Sequence, residues 1–226
     1  MSTRLPDRLR PPAAVLFDLD GTLVDSEPLH LQAQLVVMER RGASMGEDEF
    51  SEFIGWAEEP FWTEMCRRYR LDASPRELAE ERTEILLGLF EESPPVVLPG
   101  VRELLELLER RSVPRAVASS SPRRLIEAAL HAASLRELVP TWRSGHDDVA
   151  PGRGKPSPDV YLAAAAALDV DAKDCLAVED STTGLTAALA AGCHAIAVPC
   201  PSHPDPGLDD ADLRLESLHE LVADLS

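Results

Sequence analysis

Segments typical of strands and of helices alternate along the second half of the chain, and this alternation constrains the fold most strongly. The short apolar segments VPRAVASS (113–120), DCLAVED (174–180) and CHAIAVPC (193–200) are typical of buried strands, and helix-like segments lie between them. Strands that are connected through helices form parallel sheets with helices packed on both faces. The sequence therefore predicts an α/β fold built on a parallel sheet.

The weaker segments LVPTWRSG (138–145) and ADLRLES (211–217) are predicted to add a short strand and an edge strand. A further strand, AAVLFDLD (13–20), precedes a block of successive helices that runs from about residue 28 to residue 90. We interpret this block as an α-helical cap inserted into a Rossmann-like core. The predicted domains are residues 1–24 with 96–226 for the core, and residues 25–95 for the cap.

The charge of the chain restricts its partners. The 226 residues carry a formal net charge of −18, and such a surface repels nucleic acid and anionic lipid. We therefore expect neither a nucleic-acid partner nor a membrane partner. A phosphorylated ligand is also repelled at long range, so any phosphate site must rely on local cations, a metal or backbone amides.

The cysteines and the N-terminus indicate a cytoplasmic protein with reduced thiols. The four cysteines show no C-x-x-C spacing and no accompanying histidine cluster, which argues against zinc. The N-terminal segment lacks the apolar core of a signal peptide, and no apolar run reaches membrane-spanning length. We expect a monomer.

Polar residues follow several predicted strands at the edge where parallel sheets bind ligands. Taken alone, each group has a simpler explanation as a helix cap, a solvated loop or an exposed lysine. Together, acids at two strand ends, hydroxyls at a third and a nearby cation provide the groups needed for phosphoryl transfer. These residues are Asp18 and Asp20, Ser119 to Ser121, Lys155, and Glu179 with Asp180.

Their chemistry suits a magnesium-dependent reaction. The carboxylates of Asp18, Asp20 and Asp180 offer the hard oxygen ligands that Mg²⁺ prefers. One aspartate of the Asp18/Asp20 pair can attack phosphorus, and the other can protonate the leaving alcohol and then deprotonate a water molecule. The spacing alone does not decide which aspartate has which role. A serine hydroxyl with helix N-terminal amides, and Lys155, can hold and neutralise the phosphate.

At this point the chain resembles the haloacid dehalogenase (HAD) superfamily, in the helical-cap branch that contains phosphatases and β-phosphoglucomutases. The resemblance rests on DLDGTLVDSEPLH (18–30), VASSS (117–121), GKPSPDVY (154–161) and VEDSTTGLTAALAAG (178–192), which occur in the family order. It implies the HAD fold with an inserted cap, a Mg²⁺ cofactor and a small phosphorylated metabolite as substrate.

The resemblance also implies roles for the acidic residues. Asp18 is expected to be the nucleophile and a metal ligand, and Asp20 the general acid and base, with its backbone carbonyl on the metal. Asp180 is expected to be an acidic metal ligand. Glu179 is expected to bind the metal directly or through water.

The same resemblance assigns the phosphate-binding groups. Ser119 is expected to bind phosphate through its hydroxyl, with help from the Ser120 amide. Thr22 lies in the turn near the phosphate, and Lys155 links the nucleophile to the phosphate. In the cap, His30 and Trp56 are candidates for substrate contact, although a helix surface for His30 and the cap core for Trp56 explain them equally well.

A phosphatase and a mutase form the same aspartyl-phosphate, so the cap must distinguish them. In the related β-phosphoglucomutases an arginine of the cap loop binds a second phosphate, and Glu58 of GWAEE falls at or beside that position. A carboxylate there repels phosphate, which favours hydrolysis over the mutase reaction. We predict a phosphatase whose substrate is a sugar or sugar-alcohol phosphate. The cap arginines are expected to be mostly solvated. A phosphosugar mutase remains the alternative, and a phosphorylated receiver-type signalling module is a remote one.

Overall fold

The computed structural model describes residues 5–6, 9, 11–46, 49, 53, 58–202 and 207–226. The strands in these residues are β1 (Ala14–Phe17), β2 (Val24–Asp25), β3 (Val96–Val97), β4 (Arg115–Ser119), β5 (Thr141–Ser144), β6 (Cys175–Glu179), β7 (His194–Ala197) and β8 (Leu213–Arg214). The helices are α1 (Glu27–Arg40), α2 (Glu58–Tyr69), α3 (Pro75–Glu92), α4 (Val101–Arg110), α5 (Arg123–Ala132), α6 (Asp159–Ala167), α7 (Thr182–Ala190) and α8 (Leu218–Leu225).

Six strands form one sheet in the order β5-β4-β1-β6-β7-β8, and all of its neighbouring strands run parallel. The predicted parallel sheet is therefore confirmed. The segment ADLRLES supplies the edge strand β8, and LVPTWRSG supplies β5 at the opposite edge. A separate antiparallel ladder joins β2 to β3.

The central strands are apolar on both faces because helices cover both faces of the sheet. Every residue of β1 and of β6 is buried. On one face, Leu16 and Ala177 belong to an apolar cluster with Ala164 of α6 and Ala188 of α7. The small side chains of these alanine-rich helices allow the helix backbones to approach the sheet closely.

The chain divides into two compact units, residues 1–27 with 95–226, and residues 28–94. The second unit has its own core, in which the fully buried Trp62 packs with Phe61, Met65 and Leu78. This unit lies within the segment that the sequence predicts to be an inserted cap. Its role as a cap stays a prediction.

No helix in the described part of the chain is long and apolar enough to cross a membrane. The longest of these helices, α3, has 18 residues and carries many charged side chains.

Candidate active site

The sheet order brings the predicted chemical groups together. Strand β1 lies between β4 and β6, and all three run parallel, so their carboxyl ends share one edge of the sheet. Asp18 directly follows β1, Ser119 ends β4, Glu179 ends β6, and Asp180 comes next. Residues that are far apart in sequence therefore meet at this edge.

Lys155 is held between two of these acids. It lies in the loop between β5 and α6, and its Nζ is 2.5 Å from Asp18 Oδ1 and 2.6 Å from Glu179 Oε1. The Lys155 side chain is only 4% exposed. Burial lowers the pKa of Lys155, but the Asp18 and Glu179 carboxylates outweigh it and raise this pKa above its usual value. Lys155 is therefore a fixed positive charge.

The acids are too numerous for one lysine to neutralise. Burial raises the pKa of Asp18 to about 8; Lys155 opposes this shift, while Glu179 and Asp20 add to it. Burial, with the Asp18 and Glu179 carboxylates, also holds the pKa of Asp180 well above its ordinary value. Full ionisation of these acids would leave an excess of negative charge, which a bound cation would offset.

The acids are also arranged as a set of metal ligands. The carboxylates of Asp18, Glu179 and Asp180 are buried and can place one oxygen each within 4.8 Å of one another. An all-oxygen, all-carboxylate set is the type that hard divalent cations take. The Asp20 side chain lies outside this set and has other partners.

Glu179 is the most enclosed of the acids, and its side chain is fully buried. Besides Lys155, it accepts hydrogen bonds from Tyr161 Oη (2.5 Å) and Ser181 Oγ (3.1 Å). Tyr161 was not singled out from the sequence. It is a large polar aromatic residue in the alanine-rich helix α6. The sequence did not show which face of this helix packs against the site.

Asp180 is positioned by the turn after β1. Thr22 Oγ1 donates to Asp180 Oδ1 over 3.2 Å, so this threonine holds a candidate ligand. Gly21 has a φ of +82°, and a Cβ there would lie 2.0 Å from Asp180 Oδ2. The glycine of the DLDGT motif is therefore needed both for its backbone conformation and for space.

Two serine hydroxyls hold Asp20. Ser26 Oγ donates to Oδ1 over 2.6 Å, and Ser121 Oγ donates to Oδ2 over 2.9 Å. Ser26 was not singled out from the sequence, and Ser121 was noted only as the last residue of the serine triplet.

The loop after β4 places its serines in different surroundings. Ser119 is buried, and its Oγ accepts the Ser121 amide at 3.0 Å, while Ser120 is exposed. The first amide of α5, at Arg123, donates to Asp147 Oδ2 at 2.6 Å, because a carboxylate from the loop after β5 caps this helix. Phosphate binding by Ser119 and the Ser120 amide stays a prediction.

In the second unit, His30 lies on α1 and is half-buried. Its Nδ1 contacts Arg82 Nη2, and its ring meets the edge of Phe90. Arg82 also pairs with Glu58 over 3.0 Å, and its side chain is only 10% exposed. Arg82 is therefore an exception to the expectation that the arginines of this segment are mostly solvated. Trp56 lies outside the described residues.

The sequence profile of the haloacid dehalogenase-like hydrolases matches residues 12–192. The chain belongs to this family. Among the curated HAD proteins, Escherichia coli K12 hexitol phosphatase B is 36% identical over 215 residues, which cover 93% of this chain and 94% of that protein. Bacillus subtilis β-phosphoglucomutase is 30% identical over 221 residues, which cover 92% and 94% of the two chains.

A solved HAD structure has the same fold over nearly its whole length. The crystal structure of CbbY from Rhodobacter sphaeroides in complex with phosphate superposes with a TM-score of 0.84 at 29% identity. The match covers 95% of this chain and 99% of CbbY. The resemblance that was based on four motifs is therefore confirmed as membership of the HAD family.

Proposed function

We propose that this protein is a Mg²⁺-dependent phosphatase that acts on a small phosphorylated metabolite, a sugar or sugar-alcohol phosphate. The enzyme is a phosphoric monoester hydrolase of the HAD family. The observation that carries the proposal is the position of Lys155 between Asp18 and Glu179, with Asp180 beside them, at the carboxyl edge of the sheet. This arrangement pairs a buried nucleophile with a fixed positive charge.

The buried carboxylates of Asp18, Glu179 and Asp180 are the side chains that would hold Mg²⁺. Their hard oxygens and their excess negative charge fit that ion. When bound, Mg²⁺ supplies positive charge that offsets repulsion between the acids and an incoming phosphate.

The aspartates would carry the covalent chemistry in two steps. In the first step, Asp18 attacks phosphorus, a bond forms from its carboxylate oxygen, and the ester P–O bond breaks as Asp20 gives its proton to the departing alkoxide. In the second step, Asp20 takes a proton from water as the water attacks the phosphorus of the aspartyl-phosphate. Inorganic phosphate leaves and Asp18 is regenerated.

Lys155 and Ser119 would hold the transferring group. The ammonium of Lys155 contacts Asp18, which supports a role in neutralising the negative charge that would develop on the phosphoryl oxygens. Ser119 stands at the end of the neighbouring strand β4, and its buried hydroxyl can turn to donate to a phosphoryl oxygen.

The names of the relatives support the substrate class. Two of the similar proteins are hexitol phosphatases A and B of Escherichia coli, and another is a phosphorylated carbohydrates phosphatase of Thermotoga maritima. We propose that this chain also acts on a phosphorylated polyol or sugar, in the cytoplasm and as a monomer. We further propose that His30 and Trp56 of the cap take part in substrate selection.

The Glu58 position favours hydrolysis over a mutase reaction. Glu58 forms an ion pair with Arg82, and the other guanidinium edge of Arg82 contacts His30. This buried arginine is therefore already committed to partners within its own unit. A β-phosphoglucomutase among the relatives keeps the mutase as the competing outcome of the test.

The proposal is tested with a panel of sugar and polyol phosphates, assayed for free phosphate and for isomerised sugar phosphate. We expect Mg²⁺-dependent release of phosphate that EDTA abolishes. Asp18→Asn should lower turnover at least about 10³-fold, because an amide cannot act as the nucleophile. The exposed Asp171→Asn serves as the matched control and should keep full activity. Undiminished turnover in Asp18→Asn contradicts the mechanism, and isomerised sugar phosphate that forms only with a bisphosphate activator indicates the mutase.

A further inference from the structure

We propose that Ser121 is a positioning residue that holds the acid/base carboxyl of Asp20 in place throughout the reaction. The inference rests on the proposed function, since it assumes that Asp20 moves the protons. Nothing in the motif resemblance assigned a role to the Ser121 side chain.

The first observation is that both oxygens of Asp20 accept hydrogen bonds from side-chain hydroxyls. Ser26 Oγ donates to Oδ1 over 2.6 Å, and Ser121 Oγ donates to Oδ2 over 2.9 Å. Two donors on opposite oxygens restrain rotation of the carboxyl group, which a single donor does not. Ser26 is fully buried and belongs to the chain segment of Asp20, whereas Ser121 is 101 residues away in sequence.

The second observation is that Ser121 is itself fixed through its backbone. Its amide donates to Ser119 Oγ over 3.0 Å, and its carbonyl accepts from Ser144 Oγ over 2.8 Å. Ser144 is fully buried at the end of β5. Ser121 therefore connects the loop that carries Asp20 to the ends of two neighbouring strands, β4 and β5.

A serine suits this position because its hydroxyl donates to Asp20 Oδ2 while its own amide and carbonyl are held by Ser119 and Ser144. The inference is that Ser121 preserves the geometry of the proton donor as the leaving alcohol departs.

The proposal makes a prediction that separates positioning of Asp20 from direct phosphate binding. A poor, alkyl leaving group needs the proton from Asp20, whereas a good, aryl leaving group such as p-nitrophenolate departs largely without it. Loss of Asp20 positioning must therefore slow alkyl phosphates more than aryl phosphates. Loss of a phosphate contact must slow both equally and weaken binding of inorganic phosphate.

The experiment measures kcat/KM of the full-length, Mg²⁺-loaded enzyme on its best sugar or polyol phosphate and on p-nitrophenyl phosphate. General acid catalysis contributes about 10²- to 10⁴-fold, so partial loss in Ser121→Ala should lower kcat/KM about 10-fold or more on the alkyl ester. On the aryl ester we expect a loss of less than about 3-fold on the same basis. The inhibition constant of inorganic phosphate should stay unchanged. Asp20→Asn should show the same selectivity with larger losses.

Two further variants act as controls. Ser121→Thr keeps the hydroxyl and should recover most of the activity on the alkyl ester. Ser202→Ala removes a comparable bond from a serine hydroxyl to a carboxylate, that of Asp25 at 2.7 Å, and should change neither substrate. Equal losses on both esters, or weaker phosphate inhibition, would overturn the role of Ser121 while leaving the phosphatase intact. A wild-type enzyme that hydrolyses neither ester would overturn the proposed function itself.

Discussion

Among single residues, Tyr161 shows how the candidate site depends on groups that support its acids. Its hydroxyl donates to a Glu179 carboxylate that has no access to water, and Lys155 Nζ lies 5.1 Å from the centre of its ring. Burial, then the charges of Glu179 and Asp18, raise the pKa of Tyr161 well above its usual value, so the phenol keeps its proton. Tyr161 is therefore a permanent donor to this buried acid.

Removal of the Tyr161 hydroxyl should destabilise the folded protein. Tyr161→Phe leaves Glu179 buried with one donor fewer, which should lower the free energy of unfolding by about 1–3 kcal/mol. The chain offers a matched control, because the hydroxyl of its other tyrosine, Tyr69, donates to the partly exposed Glu49 at 2.6 Å. Urea unfolding of both variants should show the larger loss for Tyr161→Phe, and kcat should fall for that variant alone. Equal losses in Tyr161→Phe and Tyr69→Phe would show that the burial of Glu179 does not strengthen its hydrogen bond with the tyrosine.

Among the secondary-structure elements, the close approach of helix α7 to strand β6 depends on a glycine in the first turn of the helix. A Cβ at Gly184 would lie 1.9 Å from Glu179 Oε1. The same turn begins at Ser181, whose Oγ accepts the Gly184 amide at 3.1 Å and donates to Glu179 Oε2. Ser181 thus links the start of helix α7 to Glu179 at the end of strand β6.

This packing reverses the usual effect of a glycine-to-alanine change. Alanine normally stabilises a helix interior by about 0.5–1 kcal/mol relative to glycine, and Gly88→Ala in α3 should do so, since a Cβ at that position would meet no described atom within 4 Å. Gly184→Ala should instead destabilise the protein by about 1–3 kcal/mol and abolish most activity, because the displaced Glu179 must leave Lys155 and Tyr161. Thermal or urea unfolding compares the two variants, and a stabilised Gly184→Ala would contradict the close packing.

For the whole molecule, the buried acids Asp18 and Asp180 lower the stability of the metal-free fold. The pKa of Asp18 rises from 3.8 to about 8 on folding, chiefly through burial, and that of Asp180 rises in the same direction. Between these values the folded protein binds more protons than the unfolded chain, so its stability decreases as the pH rises. The decrease in the free energy of unfolding is complete once the pH exceeds the pKa values of these acids in the folded protein.

The corresponding prediction concerns the metal-free protein in EDTA. Its urea midpoint should decrease between about pH 5 and pH 8, because the folded acids must release protons that the unfolded acids have already lost. Asp18→Asn should flatten this slope. Added Mg²⁺ should raise the midpoint more at the alkaline end, where the carboxylates are charged. A midpoint that rises over this interval in EDTA would contradict the direction of the shifts.

The sequence predicted the parts of the site that strand order determines. Asp18, Ser119 and Asp180 each follow or end an apolar strand. Because parallel strands place their carboxyl ends at one edge of the sheet, the proximity of these residues could be predicted from the hydrophobic pattern and the strand connections. The contacts of Tyr161 and Ser26 were not predicted, because they depend on the direction of a side chain within a helix or a turn. The Arg82 pairing with Glu58 joins residues 24 positions apart on different helices, which periodicity does not reveal.

The long sequence separations inside the site have a consequence for biosynthesis. Asp18 and Lys155 are 137 residues apart, and Thr22 and Asp180 are 158 apart. At about 5–20 residues per second, roughly ten seconds of translation separate the appearance of Asp18 from that of Lys155. Until then the DLD motif is an ordinary pair of hydrated acids on a nascent chain. The candidate site can therefore assemble only after the chain has been synthesised as far as Asp180.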